Sequence, residues 1–206
     1  MRDLELEHPL WSHRVIPLAT ISDIDAIDAI GDGLLRGGLP VVEVALRGEL
    51  GLTAIDRLAK RDDLLVGAGT VLNVPQARAA IEAGARFVVT PGLDADVVRF
   101  VRDAGIPIIP GVLTPTEVQT ARELGLRRVK LFPAGVFGGL ALLSALADVF
   151  RDMMFMPSGG VTPETLASYL AHPAVFAASG SWITRPAPDA EAIAAAARAA
   201  ARGRHD

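Results

Sequence analysis

The stretch VVEVALRGELGLTAIDRLAKRDDLLVGAG, residues 41–69, contains the repeating unit that decides the fold of this chain. It begins with the β-branched run VVEVAL (41–46), continues through a longer helical pattern, and ends with a second apolar run, LLVGAG (64–69). A strand, a helix and a second strand in this order form a crossover that places the two strands parallel in one sheet. The stretch therefore predicts one β–α–β unit.

The same alternation recurs about eight times along the chain. Besides the two strands above, we predict RVIPLAT (14–20), RFVVT (86–90), IPIIP (106–110), RVKLF (128–132), MMFMPS (153–158) and VFAAS (175–179). Helix starts and ends are marked between them: Pro115 and Pro163 fall in first turns, and residues 22–38 open on a capping residue and close on glycine. Eight such units predict an α/β fold of the (β/α)8 TIM-barrel type, with an open doubly wound sheet as the alternative.

The composition indicates one globular unit. Half of the 206 residues are hydrophobic, and no linker or low-complexity segment divides the chain, so residues 1–206 predict a single barrel domain. The usual barrel has about 250 residues, so this one must have short loops.

The charges and the cysteine content restrict the partners. The net charge is −4 without a basic cluster, which argues against nucleic-acid and membrane partners. The chain has no cysteine, its charged opening lacks the apolar core of a signal peptide, and no apolar run approaches the roughly 20 residues of a membrane helix. We expect a cytoplasmic protein that binds small molecules or copies of itself.

One lysine lies inside the predicted sixth strand, where an unpartnered ammonium is costly. In RVKLF, Val129 and Leu131 face the helix layer, so Lys130 faces the barrel interior; on the second strand Glu43 and Arg47 share the inward face. A buried ion pair that merely neutralises itself is one interpretation. We favour a catalytic set, because such pairs rarely improve on apolar packing and because ionisable groups at the carboxyl ends of barrel strands are typical of active sites.

Two glycine-containing loops follow the seventh and eighth predicted strands. They are MPSGGVTPE (156–164) and ASGSW (178–182), and loops after these two strands commonly bind phosphate in barrels of this type. Glycines let backbone N–H groups approach a ligand, although Gly159, Gly160 and Gly180 are also consistent with simple turns.

Seven segments, in order, resemble the 2-keto-3-deoxy-6-phosphogluconate (KDPG) and 4-hydroxy-2-oxoglutarate (KHG) aldolase family. They are GLPVVEVALR (38–47), VGAGTVLN (66–73), TPGLDADVV (90–98), IPIIPGVLTPTE (106–117), LGLRRVKLFPAGVFGG (124–139), MPSGGVTPE (156–164) and GSW (180–182). The most specific part surrounds Lys130, with Gly125 five residues earlier and Phe-Pro-Ala at 132–134.

The resemblance implies a class I aldolase that needs neither metal nor cofactor and that splits KDPG, a phosphorylated keto acid of the Entner–Doudoroff pathway, into pyruvate and glyceraldehyde 3-phosphate, typically as a homotrimer. It implies that Lys130 forms the Schiff base and that Glu43 is the general acid/base. By motif position the substrate-binding residues are Arg47 and Thr70 for the pyruvate carboxylate, Ser158, Gly159, Gly160 and Ser181 for the phosphate, and Pro91 and Phe132 for the pocket wall.

Two departures from the family keep other substrates open. The family usually has threonine where this chain has Ala45 and Ser158, and only the serine retains a hydroxyl. KHG is therefore an alternative substrate. The phosphogalactonate analogue of KDPG is another alternative substrate. Relatives that cleave it typically have asparagine in place of Arg47 and an arginine shortly after the first strand; this chain has Arg47 and no such arginine in VIPLATISD, which favours KDPG.

Two other classes of protein stay as alternatives. A metal-dependent aldolase needs clustered ligands, yet the histidines, at 8, 13, 172 and 205, fall at the termini or in a helix-to-strand loop. A non-catalytic sugar-phosphate-binding barrel would keep the glycine loops without needing Lys130 or Glu43.

Overall fold

In the computed structural model, which describes residues 7–202, nine parallel strand segments curl into a ring and eight α-helices surround it. The strands are β1 (Val15–Ala19), β2 (Val41–Ala45), β3 (Leu65–Gly69), β4 (Val88–Val89), β5 (Ile108–Ile109), β6 (Gly111–Val112), β7 (Arg128–Leu131), β8 (Met154–Pro157) and β9 (Ala178–Gly180). The helices are α1 (Ala26–Arg36), α2 (Gly51–Ala59), α3 (Val74–Glu82), α4 (Ala95–Asp103), α5 (Pro115–Glu123), α6 (Leu140–Val149), α7 (Pro163–Leu170) and α8 (Ala190–Arg202). The predicted (β/α)8 class is confirmed.

The ring consists of two arcs. The large arc has the strand order β5-β4-β3-β2-β1-β9, and the small arc has the order β6-β7-β8. At one joint the fifth predicted strand, 106–110, is followed after Pro110 by a further strand segment, β6. Strand β5 pairs with β4, β6 pairs with β7, and the Pro110 carbonyl accepts the Lys130 N–H at 2.8 Å. At the other joint, an isolated bridge connects Phe155 of β8 to Val175, shortly before β9.

The strands separate two layers of core, as their alternating side chains require. Val42 and Val44 pack outward with the helices, whereas Val41 belongs to the inner core. The inner core also contains Leu10 from a short 3-10 helix, Pro9–Ser12, that directly precedes β1 and so lies at the amino ends of the strands. Apolar packing therefore fills that end of the barrel, and the carboxyl ends remain for a site.

The helix starts follow the predicted signals with one difference. Helices α5 and α7 begin at Pro115 and Pro163, as expected for proline in a first turn. Helix α1 begins only at Ala26, because the Asp23 carboxylate accepts the Asp25 N–H at 3.0 Å and holds the preceding residues in a turn.

The first and last helices pack unusually closely because α1 contributes glycines to the contact. A Cβ built on Gly33 would lie 2.6 Å from Ile193 Cβ, and one on Gly37, just after α1, would lie 2.3 Å from Ala197 Cβ. The two glycines let Ile193 and Ala197 of the alanine-rich α8 approach the backbone of α1 this closely. Over residues 7–202, no helix has both the length and the apolar character to cross a membrane.

Helix α5 has a capping box that also fixes the loop after β6. The Glu117 carboxylate accepts the Leu113 and Thr114 N–H groups, each at 2.8 Å, while the Thr114 hydroxyl accepts the Glu117 N–H at 3.3 Å. Partial burial raises the pKa of Glu117, but these hydrogen bonds outweigh burial and bring the pKa below its ordinary value of 4.5. The stabilisation is thus present above pH 4.5 and is lost as the pH falls through the folded-state pKa.

Replacing Glu117 by alanine is expected to lower the free energy of unfolding at pH 7 by about 1 kcal/mol, the usual scale for a lost cap. The difference between variant and parent should shrink in acid, because the protonated carboxyl no longer accepts both N–H groups. Urea unfolding at neutral pH and below pH 4.5 measures it. Glu123→Ala, exposed at the other end of α5, is the control and should change stability by less than about 0.5 kcal/mol. A pH-independent difference would contradict the assignment.

Candidate active site

The centre of the site is a buried amine–carboxylate pair. Lys130 on β7 and Glu43 on β2 have side-chain exposures of 3% and 0%, and Nζ lies 3.4 Å from Oε1. This separation is at the long limit of a hydrogen bond. The two residues belong to different arcs, so only ring closure brings them together. The pairing agrees with the inward faces predicted for both strands.

Neighbouring residues shape the space around the pair. The Lys130 ammonium position lies 5.2 Å from the centroid of the half-buried Phe132 ring. Gly69 on β3 gives the carboxylate its room, since a Cβ there would lie 2.3 Å from Glu43 Oε1. The site accordingly requires glycine at 69.

Ser179 on β9 is part of the site and was not predicted. Its side chain is fully buried, and its hydroxyl donates to Glu43 Oε2 at 3.3 Å. A small polar residue in an Ala-Ala-Ser-Gly-Ser run carries no signal of its own. Only the register of β9 beside β1, where Ser179 pairs with Ile16, reveals which side chain it meets.

Arg47 and Thr70 form a second group at the mouth. Arg47 lies in the turn after β2, is exposed, and donates from Nε to Thr70 Oγ1 at 3.1 Å. Within the described part of the chain it makes no ion pair with Glu43, so the guanidinium lies apart from the buried pair that we expected it to join. Thr70 has a φ of 57°, a conformation that costs a β-branched residue about 1–3 kcal/mol and that is common at functional sites.

The predicted phosphate loop after β8 is held against the lysine strand. Ser158 is buried, and its carbonyl and that of Gly159 accept the N–H groups of Ala134 and Gly135, both at 2.8 Å. Gly159 and Gly160 have φ values of 76° and 96°, which favour glycine. The two glycines are therefore needed for the loop's shape, and this alone does not make the loop a ligand site.

The second predicted loop follows β9, beside β8 in the ring. Gly180 leaves room for the Trp182 ring, which a Cβ would approach to 1.9 Å, and Ser181 is half-buried. Neither loop contains a lysine or arginine. The two loops therefore lie at adjacent strand ends, and their polar groups are the two serine hydroxyls and the uncharged backbone.

The last predicted residue, Pro91, packs against the backbone beside Lys130. A Cβ on Gly111 would lie 2.1 Å from the Pro91 carbonyl oxygen, and Gly111 pairs with Lys130 across the β6–β7 ladder. The structure thus places the half-buried Pro91 at the strand next to the amine.

Histidine and carboxylate side chains would be the ligands of a metal site. In residues 7–202 there is no group of three or more such side chains able to hold a metal ion. His8 accepts the Leu10 N–H at 3.1 Å, and His172 contacts Ser144 at 3.3 Å. His205 lies outside the described residues.

Comparisons with known proteins identify relatives of this chain. The model of the family described as "Aldolase: KDPG and KHG aldolase" matches residues 6–196. A 2-dehydro-3-deoxy-phosphogluconate aldolase of Pseudomonas aeruginosa is 46% identical over 171 residues, which are 82% of this chain and 78% of that protein.

Solved structures of aldolases also superpose closely on this chain. The 2-keto-3-deoxy-6-phosphogluconate aldolase of Zymomonas mobilis with 3-phosphoglycerate superposes with a TM-score of 0.88 at 40% identity, covering 91% of this chain and 90% of that one. A Legionella pneumophila KDPG aldolase, with pyruvate captured at low pH as a covalent carbinolamine, has a TM-score of 0.87 at 32% identity, covering 91% and 94%.

Proposed function

The chain belongs to the KDPG and KHG aldolase family, and we propose that it cleaves KDPG to pyruvate and glyceraldehyde 3-phosphate through a Schiff base on Lys130. It is a carbon–carbon lyase. The observation that carries the proposed chemistry is the buried pair, with Lys130 Nζ 3.4 Å from Glu43 Oε1 at the carboxyl ends of the strands. The carbinolamine captured in the Legionella relative supports covalent attachment of pyruvate.

Lys130 begins the reaction. Its amine attacks the C2 keto carbon, water leaves, and the protonated imine becomes an electron sink. Arg47 and Thr70, already hydrogen-bonded at 3.1 Å, bind the substrate carboxylate at the mouth and so orient C2 toward the amine. The hydrogen bond from Arg47 holds the Thr70 hydroxyl in place before substrate binds.

Glu43 moves the protons. Its carboxylate takes the proton of the C4 hydroxyl as the C3–C4 bond breaks, and the electrons of that bond flow to the imine nitrogen to give an enamine. The aldehyde leaves, C3 of the enamine is protonated, and water releases pyruvate from Lys130. Because Glu43 is adjacent to the amine, one carboxylate can serve imine formation, cleavage and hydrolysis.

The phosphate of KDPG is assigned to the two glycine loops. Ser158, Gly159, Gly160 and Ser181 supply hydroxyls and backbone N–H groups, and these bind an anion without a charged side chain. Pro91 and Phe132 line the pocket between this end and Lys130. The Zymomonas relative was crystallised with 3-phosphoglycerate, which supports a phosphorylated substrate.

We also propose a cytoplasmic homotrimer acting in the Entner–Doudoroff pathway. The family resemblance supports both the trimer and the pathway. In the single chain Val136 and Phe137 are 72% and 54% exposed, and an interface between copies would cover such apolar side chains. Light scattering after size-exclusion chromatography measures the oligomer directly.

Covalent trapping tests the proposed function. Lysine occurs at only two positions, Lys60 and Lys130, and Lys60 is a surface residue paired with Asp56 at 2.7 Å. Treatment with pyruvate and borohydride should add one pyruvate-derived mass at Lys130 and abolish activity, as peptide mass spectrometry will show. Labelling at Lys60 alone, or none, would refute the Schiff-base assignment and favour a non-catalytic binding barrel.

The phosphate site predicts a substrate preference. Binding energy from a remote phosphate can position C4 against Glu43, so its loss should lower turnover as well as affinity. We expect kcat/KM for KDPG to exceed that for KHG and for 2-keto-3-deoxygluconate by at least about a hundredfold.

Ser181→Ala should reduce this preference by lowering kcat/KM for KDPG alone. Ser168→Ala, on the exposed surface of α7, is the matched control. Equal kcat/KM values for the three substrates, or a Ser181 variant indifferent to phosphate, would remove the phosphate site and leave only a pyruvate-dependent aldolase.

A further inference from the structure

We propose that Ser179 is a positioning residue that holds the Glu43 carboxylate in the orientation needed for proton transfer. The inference rests on the proposed function and adds a residue that the sequence did not single out. Ser179 does not touch the reacting atoms in this arrangement. It acts through Glu43.

The geometry that supports this role is a carboxylate held at both oxygens. Oε1 lies 3.4 Å from Lys130 Nζ, and Oε2 accepts the Ser179 hydroxyl at 3.3 Å. In the described part of the chain these are the hydrogen bonds that Glu43 makes with its side chain. The two donors come from β7 and β9, on either side of the joint near Val175.

Burial makes the hydrogen bond from Ser179 to Glu43 important for the position of the carboxylate. Glu43 and Ser179 are both fully buried, and a buried carboxylate oxygen without a donor is strongly unfavourable. The last torsion of a glutamate side chain is soft and roughly twofold, so packing alone fixes the carboxylate plane poorly. The Ser179 bond fixes Oε2 and thereby leaves Oε1 as the oxygen that faces the amine.

The serine itself is rigidly placed. Ser179 lies in the middle of β9, paired with Ile16 of β1. On the β3 side the carboxylate packs directly over Gly69, whose missing Cβ would overlap Oε1. A backbone wall at Gly69 and a fixed hydroxyl at Ser179 together restrict the Glu43 side chain to one position.

The role predicts which step depends on Ser179. The amount of imine at equilibrium depends on the Lys130 amine, and the Ser179 hydroxyl donates to Glu43 and not to that amine. Enamine formation needs Glu43: a C3–H bond of the pyruvate imine breaks, its proton passes to the carboxylate, and its electrons reach the imine nitrogen. Loss of the hydroxyl should therefore slow proton transfer without changing how much imine accumulates at equilibrium.

The experiment compares Ser179→Ala with the parent in two assays. Borohydride trapping after equilibration with pyruvate measures the amount of imine, and NMR in heavy water measures exchange of the pyruvate methyl protons. We expect the trapped imine to stay within about twofold of the parent and the exchange rate and kcat for KDPG to fall about 10- to 100-fold, the scale of a lost hydrogen bond to a charged group. KM should stay within about threefold, since no substrate contact is removed.

Ser144→Ala is the matched control. Its hydroxyl also makes a 3.3 Å contact, to His172 Nε2, but on α6 outside the ring. Trapping, exchange and kcat should all be unchanged in this variant. Thermal unfolding of both variants measures any loss of stability, which a structural serine would also show.

A double-mutant cycle tests whether Ser179 acts through Glu43. On a Glu43→Gln background, Ser179→Ala should change the exchange rate by less than about threefold, because the base it positions is already gone. Unchanged exchange in the single Ser179 variant, or a fall only in parallel with trapped imine, would overturn the proposal. Failure of the parent to form the imine would instead refute the proposed function.

Discussion

Lys130→Arg is expected to be folded and to lose at least about ten-thousandfold in kcat, the scale on which removal of a covalent nucleophile acts. A guanidinium remains protonated in proteins and cannot attack a keto carbon, yet it preserves the positive charge opposite Glu43. The variant should therefore keep the buried charge balance while it loses the imine. Steady-state cleavage of KDPG, borohydride trapping and circular dichroism measure the three properties.

Lys60→Arg is the natural control for this experiment. Lys60 is the other lysine of the chain, 71% exposed on its side chain, and its partner Asp56 accepts arginine equally well. Its activity should match the parent. If Lys130→Arg kept more than about one hundredth of the parent turnover, the Schiff-base mechanism would be wrong.

Glu43→Gln is expected to lower kcat at least about a hundredfold while some imine still accumulates. The amide has nearly the same shape and can still accept the Ser179 hydrogen bond, so the barrel should stay intact. It cannot take a proton from the C4 hydroxyl. Single-turnover cleavage and pyruvate trapping separate the two steps.

Glu82→Gln, an exposed residue at the end of α3, controls for the charge change and should leave turnover unaffected. Near-normal turnover in Glu43→Gln would mean that a bound water or another side chain transfers the protons. The pair of variants thus tests the two members of the buried pair independently, one as nucleophile and one as base.

The strand faces could be predicted because their periodicity is local. Val42 and Val44 alternate with Glu43 along β2. This alternation places the carboxylate inside the barrel, regardless of which strands lie beside β2. The prediction for Lys130 follows from the same alternation on β7. Local pattern therefore identified both members of the buried pair.

The local sequence does not determine which residues of different strands come into contact. This limited the prediction of the other contacts in the site. The Ser179–Glu43 contact depends on the register of β9 against β1 and of β1 against β2. Arg47 lies two residues beyond the end of β2 at Ala45, in the turn that follows, where the alternation of strand faces no longer applies. Its contact with Thr70 depends on the unusual φ of that residue, which nothing in a threonine's sequence context indicates.

The division of the ring into two arcs has a consequence for how activity depends on the whole barrel. Glu43 and Ser179 lie on the large arc and Lys130 on the small one, and the two serine loops are likewise divided between β8 and β9. Neither arc contains both members of the buried Lys130–Glu43 pair by itself. On the proposed mechanism, activity requires both joints of the ring to be closed, so a substitution that loosens a joint is expected to lower activity even where no substrate contact is made.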